Sequence, residues 1–378
     1  MVPSAVNKVL SITRRKTEEV ATLAQRICEV PAPTGEEQQR AAFVAALWRE
    51  RGYTPEIDAI GNVYVRRGKR EHGPLLLLLA HTDTVFPATT PIKVMRDGDI
   101  MRGPSIGDNS VSVAAMISLF VLLDELKVET DADILAVANV GEEGLGNLRG
   151  ARAAVERYRA DVGAVIAIDG RLGVIVNTAV GSQRWRVTVH GSGGHSFGSF
   201  GKPSAIHGLG RIIAAIADLD VPSEPKTTFN VGLIEGGTSV NTIASSASAL
   251  LDLRSTDATA LETLAHTVRA IVEQRVGAGL QTEIEMLGER PMGTRSKSDP
   301  LIQLADATLR WLGMEPIYAV SSTDANIPIS MNIPALCVGV TYAARAHTLD
   351  EYMHVSPIAH GLAQLLRLTT EACVLIGR

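Results

Sequence analysis

The sequence predicts an α/β protein, in which helices cover a mostly parallel sheet and a second α+β domain is inserted into the chain. Two short, uniformly apolar segments, residues 75–80 and 164–168, are typical of strands buried in a parallel sheet. These segments alternate with helical periodicity, most clearly over residues 111–126. After Gly181 the pattern changes to alternating strands, which predicts a separate domain.

The first part of the α/β domain is predicted over residues 1–180. Helical spacing covers residues 6–30 and 36–51, and a turn with proline and glycine separates them. Four strand-like segments follow, at residues 54–67, 75–80, 134–140 and 162–168.

The inserted domain is predicted over residues 181–292. Its segments follow the order β-α-β-β-α-β, which is the ferredoxin-like arrangement. The α/β pattern then resumes over residues 293–378. Helices are predicted there at 301–312 and 358–375, and strands at 317–320 and 335–340.

The composition of the chain indicates which partners to expect and where in the cell the protein would be found. The chain has 378 residues, enough for two domains, with 46% apolar residues and a net charge of −5. Because there is no basic excess, we expect no nucleic acid partner. No apolar run approaches the roughly 18 residues of a membrane span, so we expect no membrane partner. The three cysteines are far apart, which favours reduced thiols and a cytoplasmic protein.

Polar side chains follow the predicted strands where the strands end. His81 follows residues 75–80, Glu142 and Glu143 follow 134–140, and Asp169 follows 162–168. Asp108 lies in a glycine-containing loop directly before a predicted helix. Since ligands of open α/β sheets bind at the carboxyl ends of strands, these side chains predict a site for one or two metal ions.

In combination, these motifs resemble the co-catalytic di-zinc exopeptidase and deacylase family. That family includes peptidase T, glutamate carboxypeptidase, acetylornithine deacetylase, succinyl-diaminopimelate desuccinylase and the aminoacylases. The resemblance covers nearly the whole chain. The matching motifs are His81-Thr82-Asp83, the loop Gly103 to Asp108 with Ser105 in place of a glycine, Glu142-Glu143-Gly144, Ile168-Asp169-Gly170, Gly191 to Ser196, and His347 to Glu351.

The resemblance implies a cofactor of two Zn²⁺ ions, for which Co²⁺ or Mn²⁺ would also suit the ligands. It implies that Asp108 bridges both metals, that His81 and Asp169 complete one metal, and that Glu143 and His347 complete the other.

The resemblance also implies catalytic roles. Glu142 would be the general base, and Asp83 would orient His81. His195 on the inserted lid would stabilise the oxyanion, reaching into the site of the partner in a homodimer formed through the lid. A cis peptide bond is implied after Asp108.

Four residues are implied to bind the substrate. Two lie in the inserted domain, Asn241 and Arg254, and two follow the strand predicted at residues 317–320, Ser322 and Thr323. Two alternatives stay open on the residues alone. Arg254 could instead be an ion-pair partner across strands, and His354 competes with His347 for the last metal ligand.

The family implies hydrolysis of an amide bond in small peptides by a metal-bridged hydroxide. Asp169, rather than a glutamate, is a peptidase T-like trait. Asn109 stands where peptidase T has a second aspartate, which keeps two alternatives open: an N-acyl amino acid deacylase and a glutamate carboxypeptidase-like amidohydrolase. A non-catalytic metal-containing binding module is less favoured because Glu142 is present. A nucleotide-binding protein is disfavoured because the glycine-rich segment at residues 191–201 lacks the Lys-Ser/Thr pair of a phosphate loop.

Overall fold

The computed structural model describes residues 2–68 and 73–377. It divides the chain into two compact units. The first unit comprises Met1–Ala179 together with Thr294–Arg378, and the second comprises Val180–Gly293.

The helices and strands of the described residues are numbered in chain order. The helices are α1 (Val2–Arg14), α2 (Thr17–Cys28), α3 (Gln38–Arg49), α4 (Val111–Glu125), α5 (Arg149–Arg157), α6 (Ala205–Ala217), α7 (Ala258–Arg275), α8 (Pro300–Trp311), α9 (Asn326–Ser330) and α10 (Ile358–Ile376). The strands are β1 (Glu56–Ile57), β2 (Val63–Arg67), β3 (Leu75–His81), β4 (Met95–Asp97), β5 (Ile100–Arg102), β6 (Asp133–Asn139), β7 (Val162–Ile168), β8 (Val174–Ala179), β9 (Gly181–His190), β10 (Gly194–His195), β11 (Thr227–Gly236), β12 (Thr242–Ile243), β13 (Ser246–Ser255), β14 (Gln281–Arg290), β15 (Gly293–Thr294), β16 (Ile317–Ser321), β17 (Ala335–Val338), β18 (Ala343–Ala344) and β19 (Tyr352–His354).

The first unit is built on a nine-stranded sheet in the order β1-β2-β6-β3-β7-β17-β8-β15, with β16 paired to β8. Its centre is parallel, because β6, β3, β7 and β17 all run in the same direction. The strands β1 and β2 at one side are antiparallel additions. The prediction of a mostly parallel sheet is confirmed.

The apolar run of β3 is explained by burial on both faces of the sheet. Leu76, Leu78 and Ala80 pack in one core with residues of α2, α4 and α10. Leu75 and Leu77 pack in a second core with residues of α5 and α9. Burying a leucine side chain contributes about 1.5–3 kcal/mol, so a strand between two helical layers stays apolar at every position.

The helix α4 is apolar on all sides because it lies inside the first unit. The segment Ile106–Glu125 is long and apolar enough to cross a membrane by length and composition, and 89% of its most apolar stretch is buried inside the protein. The sequence-based expectation that no segment reaches this length was therefore wrong. A fully buried core helix passes the same test.

The second unit contains an antiparallel four-stranded sheet in the order β11-β13-β9-β14. The helices α6 and α7 cover one face of this sheet through a common apolar core that includes Trp185 and Val268. The major elements follow the predicted β-α-β-β-α-β order. A short pair, β10 with β12, is an addition to it.

The first unit differs from the sequence-based expectations in several places, for example in α5 and β8, which were not predicted. The helix predicted over residues 6–30 is broken into α1 and α2 by turn hydrogen bonds at Arg15 and Lys16. A small sheet in the order β18-β19-β5-β4 was not predicted, since strands of two or three residues are too short to show periodicity. This sheet brings residues 343–354 beside residues 95–102, close to the loop that carries Asp108.

Candidate metal centre

His81 is the last residue of β3, at the carboxyl end of the parallel strands, and its side chain is only 1% exposed. Its Nδ1 lies 3.1 Å from the backbone carbonyl oxygen of Asp83, and its Nε2 lies 3.1 Å from Oδ1 of Asp108. If Nδ1–H donates to that carbonyl, the lone pair of Nε2 points toward Asp108, as metal binding requires.

Asp108 lies in a non-helical stretch just before α4, with φ −122° and ψ 85°. Its two carboxylate oxygens face different histidines: Oδ1 faces His81, and Oδ2 lies 3.3 Å from Nε2 of His347. The peptide bond between Asp108 and Asn109 is cis. The Asn109 side chain donates to the carbonyl oxygen of Ile168 at 2.8 Å, which ties this loop to the end of β7.

The potential ligands form two groups that share Asp108. One group is His81, Asp108 and Asp169, and the other is Asp108, Glu143 and His347; within each group the ligand atoms lie within 4.8 Å of one another. A third overlapping group joins Glu142 to His81 and Glu143. The structure therefore brings together all five predicted metal ligands and the predicted base.

The donor set and its spacing fit metal binding. Two ligands of one tetrahedral zinc ion, each about 2.0–2.1 Å from the metal, are about 3.3 Å apart. The corresponding atoms of His81 and Asp108 are 3.1 Å apart, those of Asp108 and His347 are 3.3 Å apart, and those of His347 and Glu143 are 2.9 Å apart. Imidazole and carboxylate donors suit zinc, cobalt and manganese, and a carboxylate that faces both groups can bridge two ions.

The pKa values show how strongly these groups interact. Burial and the charge of Asp108 raise the pKa of Asp169 to about 7. Hydrogen bonds to Asp108 and Glu143 raise the pKa of His347 to about 10. Burial disfavours the charged form of His81, but its hydrogen bonds to Asp108 and Asp83 raise its pKa well above the usual value. The cluster of carboxylates thus attracts positive charge, which divalent cations would supply.

Asp83 is fully buried and organises the two glutamates. Its Oδ1 accepts the backbone N–H of Glu142 at 2.9 Å, and its Oδ2 accepts the N–H of Glu143 at 2.8 Å and the hydroxyl of Thr34 at 2.9 Å. Its Oδ1 is 3.5 Å from Nδ1 of His81, farther than its own backbone carbonyl. Asp83 therefore orients the backbone of both glutamates in addition to lying near His81.

Two buried residues around the centre were given no role by the sequence analysis, although Glu351 belongs to one of the matching motifs. Glu351 accepts three backbone N–H groups from the loop that leads to Asp108. Arg40 is 1% exposed and donates to the backbone carbonyls of Val30, Thr82 and Cys28, which fixes the chain that follows His81. The place of Glu351 four residues after His347 was the signal for such a role, whereas nothing in the sequence distinguishes Arg40 from other helix arginines.

The structure distinguishes between the two late histidines. His347 belongs to the metal-ligand groups. His354 lies in β19, and its Nδ1 is 3.3 Å from Oδ2 of Asp99. The geometry therefore favours His347, as the family resemblance implied.

His195 and Asn241 are neighbours in the second unit. His195 ends β10, and the N–H of the next residue, Ser196, donates to the backbone carbonyl of Asn241. Nδ1 of His195 accepts the backbone N–H groups of Phe197 and Gly198, at 3.3 and 3.2 Å. In the neutral ring this assigns the proton to Nε2, so that His195 presents a hydrogen-bond donor on its exposed side.

The other predicted substrate-binding residues already have structural contacts. Nε of Arg254 donates to Asp252 at 2.6 Å, so Arg254 has an ion-pair partner, but this partner lies on the same strand, β13, rather than across strands. Thr323 is buried, and its hydroxyl accepts the backbone N–H of Ala325 just before α9. Ser322 is partly buried and contacts the side chain of Asn326. The substrate roles of Asn241, Arg254, Ser322 and Thr323 remain predictions.

Two protein-family models match the chain. The peptidase dimerisation domain matches residues 177–279, and peptidase family M28 matches residues 62–183. The first match corresponds to most of the second unit, and the other covers the part of the first unit that carries His81, Asp108, Glu142, Glu143 and Asp169.

Curated relatives include two kinds of hydrolase. A putative [LysW]-lysine/[LysW]-ornithine hydrolase of Pyrococcus abyssi is 35% identical over 139 residues, which spans only 36% of this chain and 36% of that protein. A succinyl-diaminopimelate desuccinylase of Corynebacterium glutamicum is 26% identical over 92% of this chain and 95% of its own length.

Solved structures share the fold. A tripeptidase from Staphylococcus aureus superimposes with a TM-score of 0.78, at 20% identity and with 95% of this chain and 99% of that chain covered. A dinuclear metal-binding peptidase of the M20 family from Bacillus subtilis superimposes with a TM-score of 0.69, at 16% identity and with 95% and 98% coverage. Together with the sequence motifs and the dimerisation domain, these matches confirm the resemblance. In its motifs, its fold and its peptidase dimerisation domain, the chain is similar to hydrolases of the M20 family of peptidases and deacylases.

Proposed function

We propose that this protein hydrolyses the amide bond of small peptides, as a peptidase T-like exopeptidase that uses two zinc ions. One observation carries the proposal. Two three-residue ligand groups share Asp108, and Glu142 lies within 4.8 Å of both His81 and Glu143. This arrangement supplies a bridging carboxylate, terminal ligands and a base in one place.

Two divalent cations in this site would lower the pKa of a water molecule and polarise the scissile carbonyl. The chain's own residues then move the proton. Glu142 takes the proton from the attacking water and passes it to the leaving amine. Its backbone N–H is held by Asp83, so the base and the ligand Glu143 are oriented by the same carboxylate.

A cleft of about 470 Å³ lies beside these glutamates within the first unit. Its lining includes Gly144 and Leu145, which directly follow Glu143, and Thr34, which donates to Asp83. Val85 and Leu145 are 40% and 51% exposed, so apolar surface is available to a substrate group. A cleft of this size is consistent with a small substrate.

We further propose a homodimer formed through the second unit, in which His195 stabilises the oxyanion. The Nε2–H of its neutral ring is the type of donor that this role requires. The match to a peptidase dimerisation domain supports the homodimer. Cytoplasmic location and the choice of zinc over cobalt or manganese remain predictions from the sequence.

The proposal is tested with a mixed panel of di- and tripeptides, N-acetyl and N-succinyl amino acids, and glutamyl-capped amino acids. Wild type reconstituted with zinc is compared with Glu142→Gln, which keeps the size of the side chain but cannot accept the proton. Glu315→Gln is the matched control, because that side chain is 78% exposed and pairs with Arg310. We expect wild type and the control to cleave peptides, and Glu142→Gln to lose at least a hundredfold in kcat.

An N-acyl amino acid deacylase is the second candidate. It is favoured by the similarity to a succinyl-diaminopimelate desuccinylase over nearly the full length of both chains. Cleavage of N-acyl amino acids without cleavage of peptides would replace the first proposal with this one. If no substrate is cleaved although two metals are bound, both proposals would be rejected in favour of a non-catalytic binding module.

A further inference from the structure

Glu351 is a buried carboxylate, 1% exposed, directly before β19. Its Oε1 accepts the backbone N–H groups of Gly107 at 2.7 Å and Asp108 at 2.8 Å. Its Oε2 accepts the N–H of Ser105 at 2.9 Å. Its own backbone carbonyl accepts the N–H of Gly103 at 3.0 Å. One residue thus holds most of the loop that ends at Asp108.

Glu351 also closes the turn that carries His347. Its backbone N–H donates to the carbonyl of Thr348, and the N–H of Thr348 donates to the carbonyl of Arg345. The turn is tight, since Arg345 and His347 both have left-handed backbones with φ 61° and 66°. Glu351 therefore joins two segments that are distant in sequence and that each contribute a ligand to the group of Asp108, Glu143 and His347.

The approach of the loop to this carboxylate is close. A side chain at Gly107 would place its Cβ 2.6 Å from Cβ of Ala343 and 3.2 Å from Oε1 of Glu351. The loop therefore needs glycine there to reach Glu351. Three hydrogen bonds from the loop to one buried carboxylate restrict the backbone of Asp108.

We propose that Glu351 is a positioning residue, which sets the carboxylate of Asp108 against His347 and thereby secures the cation that Asp108, Glu143 and His347 would share. The inference depends on the proposed two-metal function. It goes beyond that function because Glu351 is not one of the potential metal ligands, yet it would determine how Asp108 and His347 are placed around one metal ion.

The test is Glu351→Gln, which keeps the shape of the side chain but replaces one acceptor oxygen by an NH₂ group that faces backbone N–H donors. Metal-free wild type and variant are titrated with Zn²⁺ against a chromophoric chelator, and bound metal is counted by mass spectrometry. We expect one of the two ions to bind 10- to 100-fold more weakly in the variant, with the other little changed. We also expect kcat to fall more than KM rises, with partial recovery at high zinc concentration.

Asp299→Asn is the matched control, because Asp299 is also buried and accepts a backbone N–H, that of Leu301, but has no contact with the ligand groups. The control should bind both ions as wild type does. If Glu351→Gln does not fold, Glu351→Asp is titrated with Zn²⁺ in the same way. This variant keeps the charge but moves the carboxylate away from the loop.

Wild-type affinity for both ions in a folded Glu351 variant would overturn this inference and leave the proposed function intact. A wild-type protein that binds fewer than two zinc ions would overturn both. The metal count needs no substrate, so failure to find a substrate does not affect the result.

Discussion

Oδ2 of Asp108 lies 3.3 Å from Nε2 of His347, while Oδ1 of the same carboxylate faces His81. The two oxygens of one aspartate thus point into two different ligand groups. In this geometry His347 belongs to the potential ligand group of Asp108 and Glu143, and it does not belong to the group of His81, Asp108 and Asp169.

The first prediction follows from that contact. His347→Ala should reduce bound zinc from two ions to one and lower kcat at least a hundredfold, because one position keeps only Asp108 and Glu143. The measurement is metal content by mass spectrometry after dialysis, together with turnover of the best substrate.

His354→Ala is the control, because His354 pairs with Asp99 outside the ligand groups. It should keep two ions and nearly full activity. Loss of zinc in His354→Ala, with none in His347→Ala, would reverse the assignment of the two histidines.

The second prediction concerns Asp83, which accepts the backbone N–H groups of Glu142 and Glu143. Asp83→Asn replaces one acceptor oxygen by a donor, so one of these N–H groups loses its partner. We expect a 10- to 100-fold loss in kcat/KM, the usual effect of removing a group that orients ligands. Thr34→Val, which removes only the hydroxyl that donates to Asp83, should lose less than tenfold. Equal losses in the two variants would contradict this assignment.

The sequence could predict four of the five potential ligands because each follows a strand or precedes a helix with a clear pattern, whereas His347 was implied only by the family resemblance. His81 ends a strand that is buried on both faces, and its apolar run is visible in the sequence. The same holds for Asp169 after β7. The position of an imidazole or carboxylate after such a run is a local property of the chain.

The supports of these ligands could not be predicted in the same way. Glu351 reaches Ser105 only because the small sheet brings β19 beside β5, and strands of three residues leave no periodic signal. The break between α1 and α2 was missed for a similar reason, because it depends on turn hydrogen bonds rather than on a proline or glycine.

The third prediction concerns Ser105, which stands where the family loop has a glycine. Its φ is 66°, in the left-handed region that costs most residues about 1–2 kcal/mol. Ser105→Gly should therefore change the free energy of unfolding by less than about 1 kcal/mol, since relief of strain is offset by the entropy of glycine. Ser105→Val should be clearly less stable, because a branched side chain tolerates this backbone poorly. Thermal unfolding of the metal-free proteins measures both, and a valine variant as stable as wild type would contradict the strain.

The fourth prediction is a pH dependence that involves Asp99. This side chain accepts the backbone N–H of Ser356 at 2.7 Å and its hydroxyl at 3.1 Å, and it lies 3.3 Å from Nδ1 of His354. Burial alone would raise the pKa of Asp99, but the hydrogen bonds from Ser356 and His354 lower it below the usual 3.8. At pH values near the folded and unfolded pKa of Asp99, the folded state therefore binds fewer protons than the unfolded state. The resulting stability is present above about pH 3.8 and is lost as the pH falls through the folded pKa.

Asp99→Asn isolates this contribution, since the metal ligands titrate in the same way in both proteins. Because the side chain is 44% exposed, we expect wild type to be more stable by no more than about 1 kcal/mol at pH 5. The difference should shrink as the pH falls below 3.8 and Asp99 gains its proton. Urea unfolding at a series of pH values between 5 and 3 measures it. A difference that stays constant over this range would show that the carboxylate charge of Asp99 does not stabilise the contact between β19 and the turn before β5.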